Sequence, residues 1–122
     1  TFNGTSTVYF MGSGNQTLDM AGVAYTGSAS SQFTVNNAGT LSLLSDLTGT
    51  TTGTFSIIAG GFNANGYNMS IGIFSSSNSN TRSFTGGTGT LTITGNNTTV
   101  WQMTTTTNLT WSASNMTLVS NY

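Results

Sequence analysis

From Thr90 to Thr94 hydroxyl and apolar residues alternate without a break, and this two-residue period recurs along most of the chain. Successive side chains of a β-strand point to opposite faces, so a period of two buries one face and wets the other. Phe55 and Ile57 alternate with Thr54 and Ser56; Met69, Ile71 and Ile73 alternate with Asn68, Ser70 and Gly72. Shorter versions come from Val8 and Phe10, Leu18 and Met20, Phe33 and Val35, Leu41 and Leu43, Leu109 and Trp111, and Met116 and Leu118. No window sustains the i, i+3, i+4, i+7 stripe of an amphipathic helix, and the helix formers Glu and Lys are absent. The chain is predicted to be all-β, with essentially no α-helix.

Clusters of Gly, Asn and Ser separate the strands at Gly12 to Asn15, Ser28 to Ser31, Gly60 to Gly66, Ser75 to Asn80 and Gly95 to Asn97. Asn65-Gly66 suits either a tight hairpin or a solenoid corner. Three segments share one pattern: Ala38 to Leu43, Thr52 to Ile57 and Thr88 to Ile93. A second pattern links Asn68 to Ile71, Asn108 to Trp111 and Asn115 to Leu118. Recurrence of a strand-sized unit is what a solenoid needs, because each coil buries its apolar residues only against its neighbours. The intervals are unequal, however, and a sandwich of short antiparallel strands shows similar alternation. Narrow inward faces and outward Thr, Ser and Asn, which stack as like-residue ladders, favour the coil. The expected fold is a single-domain parallel β-solenoid (β-helix) over residues 1–122, with a β-sandwich or jelly roll as the alternative.

Charge is nearly missing. Asp19, Asp46 and Arg82 are the only charged side chains, the net charge is -1, and His, Cys and Pro do not occur. Reaction chemistry at neutral pH draws mainly on proton carriers, activated nucleophiles and metal ligands that this chain lacks, so no catalytic residue, cofactor or metal is expected. Asp19, in an alternating strand, is expected to face solvent; Asp46, after Ser45, is expected to bond local backbone N–H groups. The Gly-Gly-x-Gly-x-Asp signature of calcium-binding β-rolls is missing. One arginine cannot neutralise a phosphate track, which argues against a nucleic-acid partner. No apolar run reaches membrane-span length, and no membrane contact is expected. The hydrophobic fraction of 35% is low, yet disorder also requires high net charge or abundant Pro, so an ordered chain is expected.

The stretch Asn65 to Gly72, followed by Phe74 to Ser83, Thr88 to Gly95 and Val100-Trp101, resembles a repeat block of Ser/Thr/Asn-rich β-solenoid proteins of phage virions, tail-fibre-like proteins among them, and of related surface adhesins. Phe33 to Thr40 with Asp46 to Thr48 resembles the repeats of the same group. The resemblance implies a virion-surface or extracellular location and a structural or adhesive role. It also implies self-association, a trimer by preference, and contacts with other virion proteins. Such relatives are often long, which leaves two placements: a small stand-alone capsid decoration protein or one segment of a longer fibre.

Four residues are candidate surface or interface contacts: Trp101, Trp111, Tyr67 and Arg82. The two tryptophans could stack on sugar rings of a host glycan, but apolar neighbours two positions away favour core or interface packing. Tyr9, Tyr25 and Tyr67 follow the same logic with more exposure. Arg82 is read as fixing its Ser/Asn loop through carbonyls, a carboxylate contact being the alternative. Thr-x-Thr elements could match an ice lattice, but they do not recur at fixed spacing. Asn-X-Ser/Thr sequons at Asn3, Asn15, Asn68, Asn96, Asn97, Asn108 and Asn115 are glycosylation candidates only in a secretory host. The sequence therefore leads to a non-enzymatic structural protein, with a carbohydrate-binding adhesin module or a cellular surface filament as alternatives.

Overall fold

The structure, a computed structural model, describes residues 5–26 and 31–119. Asn3 and residues 28–30 of the turn expected from Ser28 to Ser31 lie outside the described residues, and Ser31 opens a strand instead. The strands in chain order are β1 (Val8–Gly12), β2 (Gln16–Leu18), β3 (Ser31–Leu43), β4 (Leu47–Thr48), β5 (Thr54–Asn63), β6 (Met69–Ile71), β7 (Ile73–Ser75), β8 (Arg82–Ile93), β9 (Trp101–Gln102) and β10 (Leu109–Leu118). All pairings between them are parallel. The chain winds as a β-solenoid of about four turns, with no helix among the described residues. A sandwich would need antiparallel neighbours, so the alternative is set aside.

Strand segments at the same position in successive coils pair into three ladders. One stacks Val8, Phe33, Phe55, Phe74 and Trp101. A second stacks Gln16, Leu41, Phe62, Phe84 and Trp111. The third stacks Leu47, Met69, Leu91 and Met116. Strands β3, β5, β8 and β10 each run through a corner from one ladder to the next, and register slips at Asn36/Thr40 and Ala113/Asn115 mark two of those bends.

Gly60 to Gly66 departs from the expected turn. Gly60 and Gly61 lie within β5, where the positive φ of Gly60 (82°) bends the strand rather than ending it. The turn itself is Ala64 to Tyr67: Asn65 and Gly66 have φ of 55° and 82°, and the Tyr67 N–H donates to the Ala64 carbonyl at 2.9 Å. The dipeptide that closes hairpins in antiparallel sheets turns a solenoid corner here.

Inward side chains form a continuous aromatic spine. Phe74 stacks on Trp101 with centroids 4.8 Å apart, and Phe84 stacks on Trp111 at 4.2 Å. Edge contacts cross between the two columns, Phe55 to Phe62 at 4.8 Å and Phe74 to Phe84 at 5.9 Å. Phe55, Phe62, Phe74 and Phe84 are all essentially buried, and each such burial contributes about 1.5–3 kcal/mol. This spine is how a chain poor in apolar residues builds a core.

Outward, hydroxyl and amide residues stack as expected: Thr17, Ser42, Asn63, Thr85 and Ser112 on one ladder, and Thr48, Ser70, Thr92 and Thr117 on another. Asn and Asp side chains bonded to backbone are a recurrent tie from coil to coil. The Asn68 N–H donates to Asp46 Oδ1 at 2.9 Å, and the Thr90 N–H donates to Asn68 Oδ1 at 3.0 Å, each bond joining residues 22 apart. Asn15 accepts the Thr40 N–H, while Asn65, Asn80 and Asn115 donate to carbonyls one coil back.

Candidate functional site

Arg82 opens β8 and is 2% exposed. A guanidinium has five N–H donors in one plane. Nε donates to Ser76 Oγ at 2.7 Å; Nη1 donates to the carbonyls of Asn80 and Thr107, both at 2.9 Å. Nη2 donates to the carbonyls of Ser76 and Thr105, both at 2.6 Å. Ser76 Oγ donates onward to the Ile57 carbonyl at 3.1 Å. One side chain thus links the 76–81 loop to the coil before it and the coil after it. Burial pushes the Arg82 pKa below its ordinary value. Its partners are carbonyls and a hydroxyl rather than a carboxylate, and the side chain lies inside the solenoid instead of at its surface.

Trp101 and Trp111 are half-buried on the last described coil, in β9 and β10. Their rings meet edge to face at 5.2 Å, each resting on a phenylalanine of the coil below. Trp101 also lines a concavity of about 290 Å³ with Ile93, Met116 and Leu118. The structure brings these two tryptophans together and leaves Tyr67 apart, 37% exposed at the Asn65-Gly66 corner. Tyr9 is 61% exposed, whereas Tyr25 is buried edge-on to Phe33 and donates its hydroxyl to the Ser6 carbonyl.

The two carboxylates do separate local tasks. Asp19 Oδ1 accepts the Ala21 N–H at 2.8 Å, and the Ser45 hydroxyl together with that N–H holds its carboxyl below the usual value. Asp46 bonds the N–H and the amide of Asn68 in the next coil, not the local backbone expected from its turn. The difference arises because stacking places the next coil's corner directly above. Among the described residues no group of three or more His, Cys, Asp or Glu side chains gathers. Sequon residues Asn15, Asn68, Asn108 and Asn115 use their side chains as inter-coil bonds; Asn96 and Asn97 are exposed in the 94–100 segment.

Two further features escaped the sequence reading. A groove of about 360 Å³ runs along one corner, lined by Thr40, Gly60, Gly61, Thr81, Ser83 and Thr110. A second apolar concavity, about 270 Å³, opens at the first coil between Val8, Leu18, Met20 and Val23. Both need residues far apart in sequence, and the only local signal was the Gly60-Gly61 pair.

Compared with known proteins, the chain matches no family model, and no curated protein or solved structure is similar enough to show kinship.

Proposed function

We propose that the chain is a non-enzymatic structural protein of a virion surface, either a tail-fibre segment or a capsid decoration. The observation that carries this reading is the stacked frame: a narrow aromatic spine inside parallel ladders, wrapped in hydroxyl and amide residues that carry almost no charge. Such a wall packs against neighbours without charge repulsion. Asp19, Asp46 and Arg82 each hold backbone groups, which supports a framework role. The resemblance of residues 65–101 to phage virion repeats supplies the location. Immunogold labelling with an antibody to the folded protein tests it, on particles and on cells from the source culture. Label on capsids or appendages supports the reading; label confined to cell-surface filaments replaces it with the filament alternative.

A carbohydrate-binding adhesin is the second reading, favoured by the Trp101–Trp111 pair beside an open concavity. A glycan array probed with wild type and Trp101→Ala separates the two. Binding lost while the circular dichroism spectrum is kept would favour the adhesin.

A further inference from the structure

We propose that the two ends of the solenoid are complementary, and that copies of this chain join head to tail through them. The junction sets β9 and β10 of one copy against β1 and β2 of the next. Among the described residues, β1 and β2 at the head pair only with β3; at the tail, β9 pairs only with β7 and β10 only with β8. Each of these strands therefore has one side without a partner strand among the described residues, a template for another strand.

Both ends also expose the apolar interior. The head concavity is lined by Val8, Leu18, Met20 and Val23; the tail concavity is lined by Ile93, Trp101, Met116 and Leu118. Leu118 is 64% exposed, Met116 48% and Val23 37%. Stacked-coil proteins usually close their ends with a polar cap, and among the described residues neither end carries one.

The register identifies the occupant. Val8 begins the column that finishes at Trp101, and Gln16 begins the column that finishes at Trp111. A second copy set one coil further on therefore extends both columns by the same parallel step that already joins Phe74 to Trp101 and Phe84 to Trp111. Like ends meeting would instead run their strands antiparallel and break the columns. Asp19 is the single charged residue lining either concavity, so no like charge opposes the contact. A heterologous contact of this kind does not close on itself and yields an open filament. The inference stands on the stacking register alone and not on the virion reading.

Sedimentation velocity of the intact chain over a range of concentrations tests it, alongside Val23→Lys at the head and Leu118→Lys at the tail. Both positions are already exposed, and thermal melts by circular dichroism check that each variant folds. Wild type is expected to grow from monomer into a series of oligomers, seen in micrographs as rods one solenoid wide. Each variant alone stays monomeric, with association weakened tenfold or more. An equimolar mixture gives dimers and nothing longer, because Leu118→Lys keeps its head and Val23→Lys keeps its tail. Wild type that remains monomeric up to its solubility limit overturns the proposal, and that series depends on no variant folding. Dimers formed by either variant alone also overturn it, since like ends would then be meeting. A monomeric result leaves the virion reading standing, because lateral packing or attachment to a particle needs no end contact.

Discussion

Arg82 shows how a single cation survives inside a chain with almost no charge. Four carbonyls and one hydroxyl take its five donors, so the charge is solvated by backbone dipoles instead of water. Lysine at this position supplies at most three donors from one point. Each buried acceptor left unpaired costs about 1–3 kcal/mol. Arg82→Lys is therefore expected to lose about 2–4 kcal/mol in urea unfolding, and Arg82→Met, which fills space but donates nothing, about 4 kcal/mol or more. A lysine variant as stable as wild type would show that packing of the side chain, not its donors, holds the loop. The sequence placed Arg82 beside its own Ser/Asn loop and left carbonyl and carboxylate partners open. It could not show that Thr105 and Thr107 close the other side, because those residues arrive one coil later.

At the scale of the element, the coils lie so close at their corners that a methyl group has no room. A Cβ on Gly72 would sit 2.5 Å from the backbone oxygens of Thr50 and Thr51 in the coil below. Gly39 meets Gly14, Gly89 meets Tyr67, and Gly95 meets Gly72 in the same way. Backbone cannot swing aside as a side-chain tip can, so Gly72→Ala is expected to cost about 1–3 kcal/mol. At Gly14 nothing lies within 4 Å of the added Cβ, and Gly14→Ala is expected to change stability by less than about 1 kcal/mol. Thermal melts of the pair check the contrast; equal melting temperatures would refute close corner packing. The strands themselves were legible because alternation is a local signal. The coil was also expected, from narrow inward faces and outward ladders, but its period was hidden, and the reason lies in the repeats. Leu41 belongs to the second ladder, Phe55 to the first and Leu91 to the third, so the three similar segments never stack on one another. Their unequal intervals reflect different sides of the coil. The steady period is carried by less similar residues, such as the 22-residue step from Asp46 to Asn68 and from Asn68 to Thr90.

The whole molecule inherits an unusual indifference to pH from its composition. His, Cys and Lys do not occur, so the side chains present belong to types that ordinarily titrate near 4 or from about 10 upward. Stability changes with pH only where folded and unfolded chains bind different numbers of protons. Between about pH 5 and pH 9 none of these side-chain types ordinarily titrates, and the urea midpoint is expected to stay level. On the acid side the sign follows from Asp19, whose carboxyl the Ser45 hydroxyl and the Ala21 N–H hold below the ordinary value of 3.8. A depressed carboxyl adds stability above that ordinary value and loses it as pH falls through its folded value. The exposed position of Asp19 makes the loss small, so the midpoint should bend down only below about pH 4. Added salt should leave the plateau unmoved, since there are few surface charges to screen. Urea titrations at several pH values, with and without salt, check both statements together. A slope near neutral pH would mean that the stability of this solenoid depends on ionisation, and not on the aromatic spine and the ladder bonds.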